Sequence, residues 1–227
     1  MSKVGKRLKV AASQFEPRQV YPLSEAINLV KTIALTKFDG AVELHVRLGI
    51  DASKGEQTVR SNVSLPHGSG KSIRVVAFVT PAQEEEAKAA GADVVGGQEL
   101  IDEIKNGKKF EADVVVATPD VMRNMAIIAK TLGQRGLMPN PKAGTVTADI
   151  GKAIKELKAG RQAFKNDDGG NVHLTVGRVS FPAEHLIANI EATMAAIKAA
   201  KPSGLKSTYI NGVAIASTMG PGIRVKL

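Results

Sequence analysis

The string HGSGKS, residues 67–72, contains the Gly-Lys-Ser that closes a phosphate-cradling loop. Such a loop also needs a glycine five residues earlier, a strand before it and a helix after it. Leu65 stands where that first glycine belongs, and the run that follows, 73–79, is strand-like. A flexible junction is the better reading. A dinucleotide turn is missing too, because Thr80, Pro81 and Ala82 follow the strand where Gly-x-Gly-x-x-Gly is required. The histidines His45, His67, His173 and His185 show no spacing with carboxylates that would build a metal site. No Gly-x-Ser-x-Gly elbow occurs, and there is no cysteine to serve as nucleophile, redox centre or zinc ligand. No catalytic residue, cofactor or metal is expected.

What remains is charge and loops. The 227 residues carry 31 Lys and Arg against 22 Asp and Glu, a net +9. That excess favours polyanions, nucleic acid first. Six Phe, two Tyr and no Trp are too few for a binding mode built on stacked bases. The apolar runs are too short to cross a bilayer, and the basic N-terminus lacks a signal peptide's apolar stretch, so a soluble cytoplasmic protein with no membrane partner is expected.

Four stretches are unusual. TKFDG (36–40) puts Phe38 beside Lys37 in a loop, where Phe38 either seals the core or faces a partner. FKNDDGG (164–170) is a polar turn between strands. STMGPGIRV (217–225) combines a hydroxyl at Thr218, a soft apolar surface at Met219 and a backbone at Gly220 that a ligand can approach closely, though Gly and Pro also simply end strands. GQRGLMPNPKAGTV (133–146) is long for a plain connection, and either touches RNA or packs on its own domain.

The elements that position these loops come in two styles. Val42, Leu44, Val46, Leu48 and Ile50 alternate with polar neighbours, as do 59–65 and 172–176, and 209–218 is strand-like. A period of two predicts antiparallel strands with one buried and one wet face. By contrast, 73–79, 92–95 and 113–117 are nearly continuous apolar runs, separated by helical stretches at 82–90, 99–106 and 121–132, with a further helix at 150–158. Gly91 and Gly107 stand at helix C-caps, and Pro81 and Pro119 at helix starts. Strands buried on both faces and alternating with helices predict a parallel α/β sandwich. Apolar stripes at 23–34 and 183–197 give one more helix to each outer segment.

The expected fold is therefore α/β and α+β in two domains. Residues 1–66 plus 160–227 form a split α+β domain with an antiparallel sheet, and 67–159 form an inserted Rossmann-like parallel domain. The outer segments hold 18 basic and 10 acidic residues, the middle 13 and 12, so the basic excess lies in the outer domain. The chain crosses between domains twice, and Gly68, Gly70 and Gly160 are expected to act as hinge glycines there.

Taken in order, the motifs KFD with VELHVRLGID, VSLPHG, GADVVGG, ATPDVM, GQRGLMPNPKAGTV, FKNDDG, SFP and TMGPGIRV run nearly end to end. Their series resembles the bacterial branch of the family of the first protein of the large ribosomal subunit, found at its mobile stalk. Gln134 departs from the proline common there. The resemblance implies a split RNA-binding domain and no enzyme activity. It implies that the chain is part of the large ribosomal subunit and a monomer when free. Its implied roles are binding large-subunit rRNA, assisting movement and release of exit-site tRNA, and repressing its own operon by binding the operon mRNA. It places the rRNA contacts at Lys37 and Phe38, at Lys165, Asn166 and Asp167 with His173, and at Thr218, Met219 and Gly220. Two rival readings are a phosphate-dependent enzyme using the α/β domain and a protein-interaction module.

Overall fold

The computed structural model describes residues 5–34, 36–52, 55–106, 110–205 and 208–226. The first segment forms α1 (Lys6–Ala12), β1 (Val20–Pro22), α2 (Leu23–Ile33), β2 (Ala41–Leu48) and β3 (Arg60–Ser64). The middle forms β4 (Val75–Phe78), α3 (Glu84–Ala89), β5 (Val94–Gly96), α4 (Gln98–Lys105), β6 (Val114–Ala117), α5 (Pro119–Met122), α6 (Ala129–Gln134) and α7 (Ile150–Lys158). The last forms β7 (Arg161–Lys165), β8 (Asn171–Arg178), α8 (Ala183–Ala199), β9 (Ile210–Ser217) and β10 (Ile223–Lys226). The chain divides into two compact units, Met1–Gly70 with Ala163–Leu227, and Lys71–Gln162. The α+β and α/β class expected from the two strand styles is what the chain adopts.

The outer unit is built on a five-stranded sheet in the order β1-β10-β9-β2-β8, antiparallel except for the β1–β10 pair. On β2, Val42, Leu44, Val46 and Leu48 are buried, while Glu43, His45 and Arg47 face the other way. Ile27 and Val30 of α2 join Leu186, Ile190 and Ile197 of α8 on the buried face. The opposite face carries Arg47, His173, Arg224 and Lys226 exposed. Asn189, fully buried on α8, ties the segment after β3 to this unit. Its Oδ1 accepts from the His67 N–H at 3.1 Å, and its Nδ2 donates to the Gly68 carbonyl at 2.9 Å and the Val176 carbonyl at 2.8 Å. This is why 67–70 stay with the outer unit, a few residues beyond the boundary that composition suggests.

The inserted unit has a parallel sheet in the order β5-β4-β6, extended by a single parallel bridge between Ala117 and Val146. Every residue of β4 is buried. Val76 and Phe78 pack with Leu100, Ile101 and Ile128 on one face, whereas Val75 and Ala77 pack with Ala87, Ile150 and Ile154 on the other. Two covered faces require the continuous apolar run. Asp149 starts α7, its carboxylate accepting from the Lys152 N–H at 3.0 Å.

One expectation needs correction. The helix expected over 121–132 is broken: α5 ends at Met122, a 3-10 stretch covers Asn124–Ile128, and α6 follows. Met125 and Ile128, three apart, are both buried, which the tighter three-residue turn allows. The 133–146 segment packs on its own unit. Arg135 donates to the Phe110 carbonyl at 3.1 Å and lies 5.5 Å over its ring, while Thr145 and Asn140 close the loop by hydrogen bonds. Strands β1 and β10 and helix α1 were not anticipated. The C-cap expected at Gly107 lies outside the described residues.

Two predictions follow from this packing. Both tyrosines, Tyr21 and Tyr209, lie in the outer unit, so tyrosine fluorescence reports its unfolding alone. Asn189→Ala strands a buried N–H and two carbonyls and should cost this unit about 2–3 kcal/mol in denaturant titration; a loss near zero would refute the strut. In the inserted unit, the Val75 N–H and then Lys158 hold the Asp93 carboxyl below its usual range, and the Lys71 ammonium and the Arg74 N–H do so for Asp113. Folding lowers both affinities for protons. The stability they add is therefore present above the unfolded value of about 3.9 and lost as pH falls through the lower folded values. Amide exchange of β4 and β6 should show this acid loss, and Asp113→Asn should flatten it.

Candidate nucleic-acid interface

Three loops meet at one end of the large sheet. The Ala41 N–H donates to Thr218 Oγ1 at 2.9 Å, and the Thr218 N–H donates to the Ala41 carbonyl at 2.9 Å. Asp39 is held from the third loop. Its carboxylate accepts from the Ser180 N–H at 3.1 Å and the Ser180 hydroxyl at 2.8 Å, and its carbonyl accepts from Arg178 at 3.2 Å. Gly40 is buried between them, where a Cβ would lie 3.6 Å from Thr218 Cβ.

This clasp leaves two large apolar side chains standing in water. Phe38 is 59% exposed and Met219 85% exposed. Phe38 therefore does not seal the core. Met219 has φ 63°, the one left-handed non-glycine among the described residues. The Gly220 N–H donates to the Ser217 carbonyl at 2.8 Å, and a Cβ on Gly220 would fall 2.3 Å from Ser217 Oγ, so a larger residue there would force Ser217 to shift. Lys37 is exposed beside Phe38. Thr218 is different: its hydroxyl is engaged with the Ala41 backbone and builds the turn.

The second set lies at the other end of β8, roughly 24 Å away at about 3.4 Å per residue. Lys165 and Asp167 are exposed there. Asn166 points inward and is 7% exposed. Its Oδ1 accepts from the Val59 N–H at 2.8 Å and its Nδ2 donates to the Asp167 carbonyl at 2.8 Å, so it shapes the turn and presents nothing. The Asn171 N–H at 2.6 Å and the Asn171 amide hold the Asp167 carboxyl below its usual range, with His173 adding to this. His173 Nε2 lies 3.4 Å from Asp167 Oδ2, and its Nδ1 lies 2.7 Å from His45 Nδ1.

Beside the second set the wet face holds an open groove of about 640 Å³. Arg47, Arg224 and Lys226 line it with His45 and His173. The sequence reading missed the three cations. The alternation placed Arg47 on the same face as His45, but nothing local showed that β10 lies beside β9. The junction glycines Gly68, Gly70 and Gly160 have φ 65°, 72° and 114°. HGSGKS leads through a turn to β4 with no helix after it, so no phosphate loop forms. Among the described residues no acidic or histidine cluster fit for a metal occurs, and no helix is long and apolar enough to cross a membrane.

Comparison with known proteins agrees with this geometry. The family model described as "Ribosomal protein L1p/L10e family" matches residues 29–221. The large ribosomal subunit protein uL1 of Thermus thermophilus is 48% identical over 226 residues, covering 99% of this chain and 98% of its own length. The proteins of the same name from Chlorobium chlorochromatii and from a Polaromonas species are 48% and 49% identical, covering 98% and 99% of this chain and 97% of their own lengths in both cases. A match this long, on a split two-unit fold, means that the chain belongs to the ribosomal protein L1p/L10e family.

Proposed function

We propose that the chain is a structural protein of the large ribosomal subunit, working on the ribosome in the cytoplasm, and that it grips large-subunit rRNA with the outer unit. The observation that carries the reading is the clasp that fixes Phe38 and Met219 as solvent-facing apolar side chains beside Lys37. Folded RNA hides its base edges in a deep groove and offers a shallow groove of ribose and base edges. Rigid apolar projections and a glycine backbone suit that shallow groove, and the surrounding cations supply salt-dependent attraction to phosphates. Among the residues carried over from the motifs, Lys37, Phe38, Lys165, Asp167, His173, Met219 and Gly220 are proposed to face RNA, with Thr218 and Asn166 holding them.

Two finer roles belong to the same proposal. A messenger that copies the local shape of the rRNA site would bind the same end of the sheet, which supports repression of the chain's own operon. Assistance to exit-site tRNA rests on the family resemblance. Gly68, Gly70 and Gly160 lie near both chain crossings and are proposed as a hinge that would let a bound unit adjust; Asn189 anchors Gly68 to the outer unit, so movement at the first crossing falls after it.

The test is binding to the stalk segment of large-subunit rRNA beside an unrelated folded RNA of equal length, across a salt series. The stalk RNA should be preferred, and the preference should survive rising salt. Met219→Ala should weaken stalk binding by about 1–3 kcal/mol while leaving tyrosine-reported stability unchanged. Thr218→Ala should lower affinity and stability together, because it opens the clasp to Ala41. Equal binding of both RNAs, or an unaffected Met219→Ala variant, would defeat the assignment. Messenger binding is tested by competition, in which operon mRNA should displace stalk RNA from the same site.

A further inference from the structure

The groove on the outer face has a floor without side chains of any length. Gly212 and Ala214 of β9 form it. Register places His45 opposite Ala214 on one side and Arg224 opposite Ala214 on the other. An imidazole and a guanidinium thus flank a shallow trough about 10 Å wide, two strand spacings across. Arg47 and Lys226 extend the two walls, and no carboxylate lines the groove. Its charge suits an anion, and it continues directly from the turn at Asp167 that the proposed RNA face includes.

The imidazole pair is incompletely protonated when neutral. Asp167 Oδ2, His173, His45 and Glu43 Oε2 form a chain with separations of 3.4, 2.7 and 3.7 Å. The first two are hydrogen-bond contacts that use one proton each, and two neutral imidazoles supply two; the 3.7 Å pair of His45 with Glu43 becomes an ion pair only when a third proton arrives. The shorter contact to Asp167 takes the His173 Nε2 proton, and the Nδ1 contact takes the proton of His45. That leaves His45 Nε2 unprotonated opposite a carboxylate. Partial burial and His173 lower the proton affinity of His45, and Glu43 raises it. The remaining charges at the groove, Arg47 on β2 and Arg224 and Lys226 on β10, repel a further proton. Both rings are reachable, with side chains 30% and 53% exposed.

We propose that this groove is a proton-linked phosphodiester site, in which an RNA backbone phosphate seated between His45 and Arg224 draws one proton from solvent onto His45 Nε2. This rests on the RNA-binding reading above. The phosphate offsets the cations that oppose the proton, and the proton completes the chain to Glu43. Binding and protonation then favour each other by linkage.

The experiment measures stalk-RNA affinity of the full chain from pH 8 to pH 6 at fixed ionic strength, with wild type and His45→Gln side by side. Wild-type affinity should rise on acidification, by up to about tenfold per pH unit for one linked proton. His45→Gln should bind with a flatter profile, its fold checked by tyrosine fluorescence. Any pH dependence of the RNA itself is common to both proteins and cancels. Ring resonances of His45 should move on adding RNA and stay in place on adding inorganic phosphate. Specific binding with parallel pH profiles would overturn the proton-linked site and leave the RNA-binding reading intact. A shift with inorganic phosphate alone would overturn the RNA backbone as occupant. No preference for stalk RNA at any pH would overturn both readings together.

Discussion

Strand β2 is the constraint on which the outer unit depends. It lies between β8 and β9, and its side chains divide strictly between a buried face and a wet one. A slip of one residue in its register would send Val42, Leu44, Val46 and Leu48 into water and Glu43, His45 and Arg47 into the core. The apolar set therefore locks the register. The register in turn fixes His45 beside His173 and Ala41 beside the Thr218 turn. Packing on one face determines the chemistry available on the other.

The inserted unit solves a different problem with the same geometry. Its central strand β4 has both faces covered, so it carries no polar alternation and offers no wet sheet face. Its charges sit on the outer helices and at the strand ends, where Asp93 and Asp113 accept backbone N–H groups and pair with lysines. The near balance of charge in this unit and the basic excess of the other follow that division of labour.

Much of this was legible in the sequence because periodicity is a local signal. Alternation marked β2 and β8, and continuous runs marked β4 and β6. The broken helix over 119–134 was not legible, since burial of Met125 and Ile128, three apart, suits an α and a 3-10 turn alike. Strands β1 and β10 are short and pair with each other across the length of the chain, so neither has a local signature. At the site, Phe38 could be placed in a loop but not in or out of the core. Asn166 looked like a polar contact in a polar turn, yet its amide is consumed by the Val59 and Asp167 backbone. Burial of an individual side chain depends on partners distant in sequence.

The left-handed backbone at Met219 limits what can stand there. A β-branched side chain in that region collides with its own backbone, so valine, isoleucine and threonine are disfavoured. A larger aromatic ring would have two stiff torsions and a flat face. An unbranched thioether tolerates the conformation and moulds itself to an irregular surface. Position 219 is thus filtered by the turn, and a second time by the RNA contact proposed for it. Its substitution pattern among functional variants should be narrower than its exposure to solvent alone suggests.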